Sequence, residues 1–281
     1  DRGLSSVMRS SVPSDIIVID NLSKDETVSH IRSNYPQVIL VESKKNLGFG
    51  KGNNVGLRYA LEKGYDYVYL LNQDAWICHD TFEKLIEVNK ENPEFGMLSP
   101  MQMHPDKTHN ERLFDKLVIR WIKADMDKDV VDGGLKEVYS VRYVQAAHWM
   151  ITHACLEKAG IFSPVFPHYG EDDNYCQRVL RHGFKIGVVP SAKAVHDADN
   201  KPTETRAQRS RRFYVKCLLS FSAYDGGSMR VMRCVIIETL KDTLRFKTFD
   251  AISMFFKALD NMKEIERCRE VSMLPGAFIK E

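Results

Sequence analysis

Short apolar runs that end on an acid, separated by stretches of helical periodicity, constrain this chain more than any other feature. Asp15-Ile16-Ile17-Val18-Ile19-Asp20 is the first, followed by the turn-like Asn21-Leu22-Ser23-Lys24-Asp25. Residues 26–34 then read as a helix stopped by Tyr35-Pro36, and Val38-Ile39-Leu40-Val41 as the next strand. Over residues 53–63, Val55, Leu57, Tyr59, Ala60 and Leu61 follow a helical repeat that Gly64 caps. Tyr67-Val68-Tyr69-Leu70-Leu71 is a buried strand ending at Asn72-Gln73-Asp74, and a helix is expected over 81–91. Strands alternating with helices at this spacing predict an α/β layer architecture with a parallel sheet. Ligands of such sheets bind beyond the carboxyl ends of the strands. Asp20 and Asp74 both fall at such ends, which makes them one candidate site.

The remaining chain is less regular. Residues 100–139 are rich in Lys, Asp, His and Met and read as an inserted loop or excursion. Order returns at Val141-Arg142-Tyr143-Val144 and in a helix over 153–160. Beyond residue 200 the sequence turns basic (Arg206, Arg209, Arg211, Arg212, Lys216) and then helical over 228–268. The expected division is therefore 1–200 and 201–281, with the boundary near 198–202. A hydrophobic content of 43% supports a sizeable core and argues against disorder. A net charge of +2 argues against a nucleic-acid partner held by phosphate neutralisation. Six scattered cysteines without a Cys-x-x-Cys pair read as reduced thiols, and no apolar run reaches the length of a membrane span. A cytoplasmic protein is expected, with peripheral contact at the inner face of a membrane as a further expectation.

Five blocks between residues 15 and 196 carry a resemblance. They are Val18-Ile19-Asp20-Asn21-Leu22-Ser23-Lys24-Asp25, then Asn46-Leu47-Gly48-Phe49-Gly50-Lys51-Gly52-Asn53-Asn54-Val55-Gly56, then Leu70-Leu71-Asn72-Gln73-Asp74. Tyr169-Gly170-Glu171-Asp172-Asp173-Asn174-Tyr175-Cys176-Gln177-Arg178 and Pro190-Ser191-Ala192-Lys193-Ala194-Val195-His196 complete the set. In this order they resemble the family 2 glycosyltransferases, inverting enzymes of GT-A fold, and most of all the rhamnosyltransferase-like branch that builds bacterial surface polysaccharides. The resemblance implies a Rossmann-like GT-A domain with a mostly parallel central sheet flanked by helices, and a C-terminal helical appendage. It implies transfer of a sugar from a nucleotide-sugar donor, UDP- or dTDP-linked, to a hydroxyl of a saccharide or lipid-linked acceptor.

The resemblance also assigns residues. Asp74 and His196 would hold Mg²⁺ or Mn²⁺ against the donor diphosphate. Asp20, Asn46, Gly48, Lys51, Asn54 and Asn72 would line the nucleotide. Asp172 would be the general base, with Glu171 beside it orienting the site, Arg178 bracing the carboxylates, and Trp149 and Asp173 facing the acceptor. Read without the family, Asp74 and Asp20 are turn formers, and 171–173 is an acidic first turn complementing a helix dipole. A helix opening near Asn53 or Asn54 would offer free N–H groups. The basic 206–216 stretch with Phe213 and Tyr214 reads either as a membrane-resting surface or as a solvated helix face.

Two departures stand out. The family opens on a strand ending in a Tyr-Asn-type motif that helps hold the base. This sequence opens at Asp1-Arg2-Gly3-Leu4, within the first helix of that pattern, so that strand is not expected here. Asn174 replaces the second Asp of the acidic block. Two other functions stay open from the residues: a non-catalytic glycosyltransferase-like binding module, and another nucleotide-sugar enzyme such as a nucleotidyltransferase.

Overall fold

The structure, a computed structural model, describes residues 1–198, 205–223, 228–246 and 249–281. Its first half runs α1 (Arg2–Met8), β1 (Ile17–Asp20), α2 (Thr27–Asn34), β2 (Ile39–Glu42), α3 (Gly48–Lys63), β3 (Tyr67–Leu71), β4 (Ala75–Ile77), α4 (Thr81–Glu91) and β5 (Phe95–Met103). The chain continues through α5 (Arg112–Phe114), a π-helical segment (Asp115–Ile119), α6 (Arg120–Val131), β6 (Tyr139–Val141), β7 (His148–Thr152), α7 (His153–Ala159), α8 (Glu171–Arg181) and β8 (Lys185–His196). Four helices follow: α9 (Arg206–Ser222), α10 (Ser228–Phe246), α11 (Asp250–Asp260) and α12 (Met262–Val271).

The α/β class is as expected, but the sheet is mixed instead of mostly parallel. β1 and β2 form a parallel two-stranded sheet. The large sheet has the order β3-β7-β5-β8-β4, with β6 on β8. Its two long strands, β5 and β8, are parallel, while β3–β7, β5–β7, β4–β8 and β6–β8 are antiparallel. The reversals arise where β7 returns beside β3 and where β4 and β6 pair with β8. β8 runs beside β5 in a register that places Met103 opposite Val195, so both strands end at the same edge as Asp74.

Two expectations about the second half change. Residues 100–139 are an excursion with helices of its own and not simply a loop. β5 carries through Pro100 at a register shift, and Phe114, Val118, Ile119 and Ile122 recur at helical spacing and bury into the main core. Glu111 caps this helix, accepting the N–H groups of Leu113 and Phe114 at 2.8 and 2.7 Å. The Asp-Lys repeats that suggested a loop are only its solvent face. The C-terminal helices are also less separate than an appendage. Tyr214, Leu218, Phe221, Ala258, Ile265 and Phe278 belong to the same apolar cluster as Trp149 and Phe162. Arg58 of α3 ties the end of the chain down by donating to the carbonyls of Phe278 and Ile279 at 3.1 and 3.0 Å. Most of the expected 198–202 boundary lies outside the described residues.

Candidate active site

The glycine-rich turn and the acidic block meet. α3 begins at Gly48, five residues before the expected start, so Asn53 and Asn54 lie inside the helix and their N–H groups are not free for a ligand. Gly48 has φ +74°, and a Cβ there would lie 2.8 Å from the Pro167 carbonyl. A Cβ on Gly50 would sit 3.2 Å from Phe162 and 3.5 Å from Glu171. Glycine at these positions lets the first turn of α3 lie directly against the segment that carries the carboxylates.

Several polar groups expected to bind the nucleotide are committed within the fold. Asn54 is 4% exposed, donating to the Phe162 carbonyl at 2.9 Å and accepting the Phe162 N–H at 2.8 Å. That reciprocal pair makes Asn54 a clamp between α3 and the 160s loop, which corrects its assignment as a ligand. Asn46 accepts the Gly48 N–H at 2.9 Å. Asn21, not among the expected site residues, accepts the Leu47 N–H at 2.6 Å and donates to the Gly48 carbonyl at 3.1 Å. Asp20 is buried at the end of β1 and accepts the Ser23 N–H on both oxygens, at 3.3 and 3.2 Å. Lys51 is exposed. Asn72 closes the turn after β3 through its backbone, donating to Ala147 at 3.2 Å and accepting from Ala75 at 3.1 Å.

α8 starts on Gly170, in the left-handed conformation, with three acids in its first turn. Glu171 is 4% exposed, and its Oε2 has no hydrogen-bond partner. Burial first, and then the Asp172 charge, push its carboxyl up to about 7. Burial and then Asp172 raise Asp173 to about 6. Asp172 is raised by burial as well, against the Tyr143 hydroxyl that donates to its Oδ2 at 2.7 Å and the Asp173 N–H on its Oδ1 at 2.9 Å. The helix terminus therefore does not win here: desolvation outweighs the dipole. Tyr143 was not among the expected site residues; a tyrosine 29 positions upstream carries no local signal of this contact. Asn174 is buried, so an amide there avoids a further carboxylate in the cluster.

Two further assignments are corrected. Arg178 does not brace the carboxylates. It is fully buried and donates to the carbonyls of Ala159 and Ile161 at 2.7 and 2.6 Å, holding the loop that leads to α8. Trp149 is no acceptor wall. It is fully buried on β7, donates to the Val144 carbonyl at 3.1 Å, and stacks on Phe162 and Tyr175 at 5.9 and 5.6 Å. The exposed aromatic beside the carboxylates is Tyr169, 54% exposed.

At the other edge, Asp74 follows β3 and is 45% exposed, with its Oδ1 3.5 Å from Nε2 of His196 at the end of β8. The two metal candidates are thus together. His148 lies behind them, its ring 6.4 Å from that of His196, donating to or accepting from Tyr69 Oη at 2.9 Å. Burial holds His148 neutral, with its pKa lowered to about 3. A carboxylate and an imidazole at this separation fit two adjacent positions around a divalent ion, leaving the others for donor oxygens. A cavity of about 620 Å³ lined by Arg2, Arg9, Trp76, His79 and Lys107 contains none of the expected site residues.

Residues 2–135 match the model of glycosyl transferase family 2. Two curated relatives agree with it: the low-salt glycan biosynthesis hexosyltransferase Agl10 of Haloferax volcanii and the dTDP-rhamnosyl transferase RfbF of Shigella flexneri. Together these matches support a family 2 glycosyltransferase. Agl10 is 24% identical over 219 residues, 74% of this glycosyltransferase and 66% of that protein. RfbF is 24% identical over 196 residues, 66% of this chain and 60% of that one. The matches thus span less than two thirds of either relative. The mannosyltransferase PcManGT from Pyrobaculum calidifontis, solved with GDP-Man and Mn²⁺, is similar at a TM-score of 0.57 over 93% of this chain and 70% of that one. At 18% identity that likeness is one of fold, and the fold is GT-A. Among the described residues no helix is long and apolar enough to cross a membrane.

Proposed function

We propose that this family 2 glycosyltransferase is an inverting, metal-dependent hexosyltransferase that uses a UDP- or dTDP-sugar. The acceptor is a hydroxyl of a saccharide or lipid-linked glycan, in the synthesis of a surface polysaccharide. The observation that carries the reading is the buried acidic turn of α8, where burial raises three adjacent carboxylates while a tyrosine orients the middle one. Asp172 takes the proton of the acceptor hydroxyl as that oxygen bonds to the anomeric carbon. The bond from that carbon to the diphosphate oxygen breaks on the opposite face, and the electron pair leaves with the diphosphate. A raised pKa suits this step, because it makes Asp172 a stronger base toward the acceptor hydroxyl. Tyr143 positions Asp172, and Glu171 and Asp173 line the acceptor side.

Asp74 and His196 would hold Mn²⁺ or Mg²⁺, which supplies charge stabilisation to the departing diphosphate. Asp20 would accept the ring N–H of a uracil or thymine, and Asn46, Gly48, Lys51 and Asn72 would border the nucleotide. The 24% identical relatives named for hexosyl and dTDP-rhamnosyl transfer support this donor class. Asp172→Asn tests the reading: turnover should fall about 10³-fold while nucleotide affinity stays unchanged. Retained turnover would remove Asp172 from the mechanism, and a chain indifferent to the change would be a binding module.

A further inference from the structure

The hairpin that follows β5 carries a second metal-ligating cluster, outside the residues used above. His104, Asp106 and His109 bring their ligand atoms within 4.8 Å of one another. His104 Nδ1 and His109 Nδ1 lie 3.1 and 3.5 Å from the same atom, Asp106 Oδ1. The two imidazoles stack at 4.5 Å with an interplanar angle of 16°. A four-coordinate zinc site with ligand bonds of about 2.0–2.1 Å has ligand atoms roughly 3.3–3.4 Å apart, and the two separations from Asp106 Oδ1 are close to that edge.

The hairpin is built to hold this arrangement. His104 and His109 share a backbone hydrogen bond of 3.0 Å, Met103 bridges to Asn110, and Lys107 closes the turn on the His104 carbonyl at 2.8 Å. The Thr108 N–H and hydroxyl both donate to Asp106 Oδ1, at 2.8 and 2.9 Å. The Thr108 N–H does most to lower this carboxyl to about 2, so it is ionised at neutral pH. His104 Nδ1 lies 3.3 Å from the Asp106 backbone nitrogen and His109 Nδ1 lies 3.0 Å from the Thr108 hydroxyl, so a bound ion would take both imidazole nitrogens over from these local contacts.

We infer that His104, Asp106 and His109 form a binding site for a borderline transition-metal ion of the Zn²⁺ class, distinct from the Asp74–His196 pair. Two imidazoles and one carboxylate favour such an ion, where one of each plus phosphate oxygens suits Mn²⁺ or Mg²⁺. The site pins the hairpin at the end of β5. The last β5–β8 pair is Met103 opposite Val195, the residues that directly precede His104 and His196.

Nucleotide-free protein titrated with Co²⁺ at pH 7.5 tests this, read by visible absorption and repeated with Zn²⁺ by calorimetry. The wild type and Asp74→Ala should each take up one equivalent with tetrahedral bands. His104→Ala, His109→Ala and Asp106→Asn should each bind at least about tenfold more weakly, since each loses one of three ligands. Their metal-free melting temperatures should match the wild type, because the three side chains lie on a partly exposed hairpin. No uptake by the wild type would overturn the inference. So would uptake that Asp74→Ala abolishes and the hairpin variants leave intact.

Discussion

The two carboxylate regions of this glycosyltransferase sit in opposite environments. The first turn of α8 is desolvated, and its acids resist ionisation. Asp74 stands at the sheet edge, 45% exposed, beside a histidine that is itself buried. A base that must take a proton near neutral pH benefits from the first setting. A metal ligand must be reachable, which the second setting provides. On the proposed function, the acceptor side and the donor side would thus differ in the solvation of their carboxylates.

Four substitutions would break or sharpen this contrast. Asp74→Ala should cost the most: losing a ligand to the ion that stabilises the leaving diphosphate is worth several kcal/mol, or about 10²–10³-fold in kcat/KM. Steady-state rates across a Mn²⁺ series would show it as a lost metal response. Tyr143→Phe should lower the rate at pH 7 about tenfold. The hydroxyl lowers the Asp172 pKa, so its removal should move the acid limb of the pH–rate profile to higher pH.

Glu171→Gln should act on stability. A carboxyl raised from 4.5 to about 7 binds its proton more tightly in the folded state. The contribution of this group to stability is then fully present below pH 4.5 and is lost as pH rises through 7. The variant should be more stable by roughly 1–3 kcal/mol at pH 8, with the gain vanishing near pH 4, as denaturant melts at the two pH values would report. Trp149→Phe should change acceptor KM less than about twofold while lowering stability by about 1–2 kcal/mol, as expected of a core residue.

Much of the first half was legible because its signals are local. Gly64 ends α3 with φ +69°, and the helix over 81–91 appears with those bounds. The start of α3 was not legible, since Gly48, Gly50 and Gly52 oppose helix propensity and are tolerated only because α3 packs against Phe162 and Glu171. Asp74 and His196 are 122 positions apart, yet β4 pairing with β8 joins them. Tyr143 on Asp172 and Asn54 on Phe162 are long-range contacts of single side chains, which no period or spacing encodes. The acidic block could be read as a block, but its raised pKa values depend on burial that only the packed structure supplies.

The most direct test of a metal-assisted donor site is a thermal-shift screen of UDP, dTDP, GDP and CMP, each with and without Mn²⁺. A ligand at a hundredfold excess over its Kd stabilises the folded state by about 2.7 kcal/mol. The account predicts that UDP or dTDP raises the melting temperature, more with Mn²⁺ than without, and that Asp74→Ala loses the Mn²⁺-dependent part. No shift with any nucleotide, or a shift indifferent to Mn²⁺, would contradict it.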